Sequence, residues 1–104
     1  MRTHKISVTV ENDRIHVTPD PLVMFKADEV HWAGMNARKF SIEFDGDGPF
    51  GARELKHAMA NAKNRPTAKG RFKYTVVSEE NPGLRLDPVI IVDEPPSGSK
   101  PVDP

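Results

Sequence analysis

Metal chemistry is the first possibility that the residue types raise, and the chain offers few donors for it. The 104 residues contain no cysteine, which excludes a disulfide framework, a thiolate metal site and a cysteine nucleophile. Four histidines are present, His4, His16, His31 and His57. His16 and His31 fall on the outward parity of alternating segments, and His57 is flanked by lysine and alanine. Only His4 shares a face with Ile6, and it stands close to the start of the sequence. An imidazole site needs at least two or three converging rings. No metal and no other cofactor is therefore expected.

Oxygen chemistry fares no better. Asp45-Gly46-Asp47-Gly48 has the look of a calcium loop, but the bidentate glutamate needed at loop position 12 would fall on Lys56. The stretch reads as a glycine-rich turn with solvated carboxylates. The adjacent carboxylates Asp28-Glu29 and Glu79-Glu80 point apart in strand or turn geometry, so they read as turn solubility. Five serines and outward histidines give no nucleophile–base–orienter set that can be placed together. Catalysis is not expected.

Charge is distributed unevenly. Net charge is zero, so it implies neither a nucleic-acid nor a membrane partner. Within residues 52–73, however, Arg53, Lys56, Lys63, Arg65, Lys69, Arg71 and Lys73 face only Glu54. Arg53, Lys56, Lys63, Arg65, Lys69 and Arg71 form a candidate anion-binding surface for a phosphate polymer or an acidic protein face. No aromatic residue interleaves with them before Phe72, whose parity turns it inward, so a stacking platform for single strands is missing. Nucleic acid is disfavoured, and a solvated helix and turn is the plainer reading.

The elements that must position these residues are mostly strands. Hydrophobic residues make up 37% and charged ones 29%, the balance of one small globular domain. Alternation marks strands at Ile6-Val8-Val10, Ile15-Val17, Val30-Trp32, Phe40-Ile42-Phe44 and Phe72-Tyr74-Val76, with a continuous apolar run at Val89 to Val92. Glu11 to Arg14 is a turn, and Thr18-Pro19-Asp20-Pro21 a bend. Leu22 and Val23 lead into a turn at Lys26 to Glu29. Across Ala52 to Lys63, Leu55, Ala58, Met59 and Ala62 fall on one helical face. The spacing predicts about three turns, closed by Asn64 in the left-handed conformation and by Pro66. About seven strands and one helix indicate a β-sandwich. Its expected core is Ile6, Val8, Val10, Ile15, Val17, Val30, Trp32, Phe40, Ile42, Phe44, Phe72, Tyr74, Val76 and Ile91. Residues 94–104, EPPSGSKPVDP, read as a flexible proline-rich tail.

Several of these segments together resemble the cupredoxins. Ile15-x-Val17-x-Pro19-x-x-Leu22 followed by Ala27-Asp28-x-Val30-x-Trp32 is similar to that family's first half, with Ala27 in place of the customary glycine. Phe40 to Asp45 resembles the strand that opens with the first copper histidine. Gly70-Arg71-Phe72-Lys73-Tyr74 resembles the entry to the copper loop, and Val89 to Val92 its closing strand. The resemblance implies an all-β, cupredoxin-like Greek-key sandwich over residues 1–93; an immunoglobulin-like sandwich is the alternative. Blue copper needs two imidazoles, a thiolate and usually an axial methionine. At the matching positions stand Phe40, Val76, Glu79 (or Glu80) and Leu84, so the resemblance implies a vestigial site plugged by mostly apolar side chains and no copper. Tyr74 and Leu86 to Val92 also resemble small bacterial proteins of unassigned function.

The expectation is thus a non-catalytic, copper-free binding or accessory module. A protein partner is expected at loops 33–39 and 78–87, with polyanion binding through segment 52–73 as the alternative. No run approaches the roughly 20 apolar residues that span a bilayer. The first ten residues alternate and lack the apolar core of a signal peptide. A soluble, cytoplasmic protein is expected, and an exported form without its leader stays open.

Overall fold

A computed structural model describes residues 2–36 and 38–94. The alternating segment Thr3–Glu11 forms β1, with Ile6, Val8 and Val10 buried. Asn12 and Asp13 take φ of 50° and 56°, the left-handed pair that a two-residue hairpin turn requires. Strand β2 (Arg14–Thr18) then returns antiparallel with Ile15 opposite Val10. After the Thr18–Pro21 bend come β3 (Leu22–Phe25) and β4 (Glu29–Gly34). Strand β5 (Phe40–Phe44) is followed by a 3-10 turn at Gly48–Phe50, β6 (Glu54–Leu55) and the helix α1 (His57–Asn61). Strands β7 (Gly70–Ser78), β8 (Arg85–Leu86) and β9 (Val89–Asp93) complete the fold.

One sheet has the order β2-β1-β4 and the other β3-β9-β7-β5-β6, with β8 also paired to β7. Both sheets contain a parallel pair, β1 with β4 and β3 with β9. An immunoglobulin constant-type sandwich, antiparallel throughout, has neither. Consecutive strands β3 and β4 lie in different sheets. The expected all-β sandwich is therefore present, with nine strands where about seven were read, because β6 and β8 are two-residue pieces.

The core lies between the sheets. Trp32 of β4 is fully buried and packs edge-on against Tyr74 of β7, with centroids 5.5 Å apart, and against Phe50 of the 3-10 turn at 5.9 Å. This one indole therefore joins both sheets to the excursion after β5. Gly48, which opens the 3-10 turn, has φ of 57°. A Cβ there would lie 2.8 Å from Phe44 Cβ, so both conformation and space require glycine.

Several sequence expectations need correction. Ile91 is only half-buried, while Ile90 and Val92 face the core; a continuous apolar run carries no parity signal, and register alone decides it. Phe72 and Val17 are half-buried at the margin, and Leu22, Met24, Leu55 and Ala60 join the core. The segment Leu22–Phe25 is a strand, because it docks parallel onto β9 with Leu22 opposite Ile90.

The predicted helix over 52–63 is the largest miss. Leu55 pairs with Ile42 in antiparallel register and is buried as a strand residue. Lys56 is still extended, and helix forms only over His57–Asn61. Its inward residue is Ala60, whereas Ala58, Met59 and Ala62 are exposed. The helical spacing was real, but pairing with β5 supplies hydrogen bonds and burial that a lone amphipathic turn does not have. Asn64 is not left-handed. Its amide and carbonyl exchange bonds of 2.8 and 2.9 Å with Val30, and its side-chain amide donates to the Met59 and Ala62 carbonyls at 3.0 Å. The helix end is thus capped from a side chain. Of the expected tail 94–104, only Glu94 lies within the described residues.

Candidate functional site

One end of the sandwich, here the pole, gathers the end of β4, the start of β5 and the end of β7. Phe40 opens β5 opposite Ser78, and Ile42 lies opposite Val76. Phe40 and Val76 are therefore diagonal neighbours on one inner face, and both are fully buried. Beyond Ser78 the chain closes on itself. The Asn81 amide donates to Ser78 Oγ at 3.2 Å, the Leu84 amide to the Asn81 carbonyl at 2.8 Å, and the Ser78 amide to the Leu84 carbonyl at 3.2 Å. Leu84 is thereby turned onto the core at half burial. Glu79 is exposed, and its amide donates to the Lys39 carbonyl at 3.1 Å.

Of the four positions matched to copper ligands, Phe40 and Val76 lie in the hydrophobic core, Leu84 packs half-buried against that core and Glu79 faces solvent. Loop 33–39, in which Ala37 lies outside the described residues, and loop 78–87 are joined by the Lys39–Glu79 backbone bond and by an ion pair from Arg38 to Glu80. The Met35 amide and the Asn36 side-chain amide donate to the Val8 and Val10 carbonyls at 2.9 and 2.7 Å, so β1 anchors the first loop. A shallow depression of about 230 Å³ lies here, lined among others by Val10, Asp13, Arg38, Ser78, Glu80 and Leu84. Its walls mix carboxylates with two aliphatic side chains, a surface suited to contact and not to enclosing a substrate.

His57 also belongs to this end, a place that its lysine and alanine neighbours in the sequence do not suggest. Its ring packs edge-on against Phe40 with centroids 4.8 Å apart, and Nδ1 accepts a hydrogen bond from the Phe40 amide at 3.3 Å. That bond fixes the proton on Nε2 whenever the ring is neutral. No spacing in the sequence links residues 40 and 57; only the packing of α1 against β4 and β5 does.

At the opposite end of β1 and β4 lies a polar centre that the sequence reading took for turn solubility. Asp28 is 4% exposed. Its Oδ1 accepts from the Arg2 amide at 2.9 Å; its Oδ2 accepts from the Phe25 amide at 3.0 Å and meets His4 Nε2 at 2.9 Å. One carboxylate thus ties β1 of the first sheet to the end of β3 in the second. Burial acts to raise its pKa, but the hydrogen bonds from His4, Phe25 and Arg2, with the His4 charge, outweigh burial and hold the carboxyl at about 2. His4 is accordingly clamped and only 14% exposed, not frayed. The phenol of Tyr74 is shifted the other way, well above the usual tyrosine range, by burial.

The basic segment is partly neutralised. Lys56 pairs with Glu54 at 3.2 Å, Arg65 with Glu29 at 3.4 Å and Lys69 with Glu94 at 3.2 Å. Among the described residues, Arg53, Lys63 and Arg71 make no ion pair. The six cations are also spread along the chain: Arg53 and Lys56 flank β6, Lys63, Arg65 and Lys69 lie in the connection from α1 to β7, and Arg71 is on β7. Among the described residues, no three or more His, Asp or Glu side chains are grouped to hold a metal ion. No described helix is long and apolar enough to cross a membrane.

No protein-family model matches this sequence, and no curated protein matches it either. Solved structures do. A pseudoazurin from Sinorhizobium superposes with a TM-score of 0.61 at 16% identity, over 92% of this chain and 77% of that one. A variant of amicyanin in its reduced Cu(I) form superposes with a TM-score of 0.52 at 21% identity, over 85% of this chain and 81% of that one. A second Cu(I) amicyanin variant gives the same TM-score at 20% identity. Likeness at such identities speaks to architecture alone. Together with the strand order, it identifies this chain as a cupredoxin-like all-β sandwich, built without a cysteine.

Proposed function

We propose that the chain is a copper-free, non-catalytic binding module whose contact surface is the pole formed by loops 33–39 and 78–87. The observation that supports this reading is the full burial of Phe40 and Val76 on neighbouring strands at the positions matched to copper ligands. Each such side chain contributes roughly 1.5–3 kcal/mol by leaving water, so hydrocarbon stabilises the pole without an ion. Rigid strands then display two cross-linked loops, the arrangement in which sandwiches usually place recognition. Polyanion binding through segment 52–73 is the weaker reading, because Lys56, Arg65 and Lys69 already have carboxylate partners.

Two measurements test the proposal. Titration with Cu(I) and Cu(II), followed by dialysis, is expected to leave no stoichiometric copper and no visible band; retention of one equivalent overturns the copper-free reading. Amide spectra of the labelled chain in fractions of native lysate are expected to change at residues 33–39 and 78–87. Changes confined to segment 52–73 and abolished by salt would replace the pole with the polyanion surface.

A further inference from the structure

The outer face of the second sheet carries a patch that the pole does not include. Val23 and Phe25 of β3 point away from the core and are 56% and 43% exposed, two of only four large hydrophobic side chains exposed among the described residues. Register continues the patch sideways. Val23 lies opposite Ile91 on β9, and Ile91 lies opposite Arg71 on β7. One row therefore runs valine, isoleucine, arginine. The next pair on this outer face is Lys73 opposite Val89. Ile91 and Val89 are half-buried, and Arg71 and Lys73 are exposed. Arg71 has no ion pair among the described residues, so the row that starts at Val23 ends on an unpaired guanidinium; Asp93, opposite Phe25, sets one exposed carboxylate beside the strip against Arg71 and Lys73 on β7.

The edge beside this strip is closed to strand addition. Pro21 precedes β3 and has no N–H to offer, and the Phe25 amide is already taken by Asp28 at 3.0 Å. An occupant must lie on the face, using side chains. Nor does the strip suit a stable dimer, which needs about 800 Å² on each partner; two exposed and two half-buried aliphatic or aromatic side chains fall well short. We propose that the Val23–Phe25–Ile91–Arg71 face binds a short acidic segment of a partner protein, with a large apolar side chain on Val23 and Phe25 and a carboxylate on Arg71. Apolar contact and a bidentate carboxylate–guanidinium pair are the two interactions this geometry offers.

The test uses the full chain, labelled with nitrogen-15, and the probe peptide acetyl-Glu-Leu-Glu-Phe-Glu-Leu-Glu-amide. Saturable shifts are expected at the amides of Val23, Phe25, Arg71 and Ile91. Phe25→Ser and Arg71→Glu should each weaken binding by about tenfold, the scale of one partly desolvated anchor. Both positions are exposed, so folding should survive, and the unchanged fluorescence of buried Trp32 checks this. Equal binding of the peptide with lysine in place of glutamate overturns the proposal, as does an unchanged affinity in both variants. Concentration-dependent shifts without peptide would assign the face to a second copy. Sedimentation with phosphatidylserine vesicles but no peptide binding would assign it to a lipid surface. Either result rejects the acidic-segment reading. Shifts at loops 33–39 and 78–87 report on the pole separately, so the two proposals fail independently.

Discussion

Replacing Asp28 by asparagine probes the least expected feature of this fold. The side chain keeps its shape, but one acceptor oxygen becomes an NH2 donor. If the remaining oxygen serves the Phe25 amide and His4, the new donor faces the Arg2 amide, which sits 2.9 Å from Oδ1 in the wild type. A donor facing a donor in a buried place costs about 1–3 kcal/mol. The pH dependence gives a second estimate. Asp28 is held at about 2 against an ordinary 3.8. At about 1.4 kcal/mol for each unit, the difference is at most about 2.5 kcal/mol, and about 1–2 kcal/mol once the screening felt near the surface is allowed for. The folded-state pKa is depressed, so this stability is fully present above pH 3.8 and is lost as pH falls towards 2. Urea unfolding followed by Trp32 fluorescence measures both effects, since that buried indole is the only tryptophan. At pH 7 Asp28→Asn should lose about 1–3 kcal/mol, and the gap to wild type should narrow between pH 4 and pH 2. A variant within about 0.5 kcal/mol of wild type at pH 7, or a gap that does not narrow in acid, would refute the assignment of Asp28 as the tie between the sheets.

Two further outcomes follow from the same structure. Tyr74 is the only tyrosine, and burial raises its phenol, so ultraviolet titration should show no phenolate through the ordinary range near pH 10 until the chain unfolds. Because the folded form holds its proton longer, stability should fall as pH rises above about 10; a normal titration in folded protein would contradict the burial. Ile90→Ala should cost about 2–5 kcal/mol in urea unfolding and Ile91→Ala less than half as much, because only Ile90 is fully buried; equal losses would mean the register of β9 is wrong.

The β-sandwich was legible because its signals are local. Ile6-Val8-Val10 and Phe40-Ile42-Phe44 alternate along one strand, and the side chain two residues on must share a face whatever the partner. The Asn12-Asp13 turn is likewise written in residues that accept positive φ. Absence of cysteine and the residue types at positions 40, 76 and 84 were also plain in the chain. Segment 52–63 shows where local signals give out. Its helical spacing lost to a long-range bond pattern, the pairing of Leu55 with Ile42, which no window of the sequence contains. The face of β9 was hidden for a related reason, since four consecutive apolar residues do not say which way they point until β7 fixes the register.

The polar contacts divide the same way. By itself the sequence determined an all-β chain with a hydrophobic core and mostly apolar side chains at the copper-matched positions, because strand periodicity and residue type act at short range. Only the tertiary structure decided that Asp28 is a buried anchor for His4, Arg2 and Phe25, that His57 leans on Phe40, and that Arg71 closes a row with Val23 and Ile91. These partners lie 3 to 68 residues apart in sequence and come from different strands, turns or the helix. Their meeting depends on which strands pair and in what register, a property of the assembled sheets and not of any one segment.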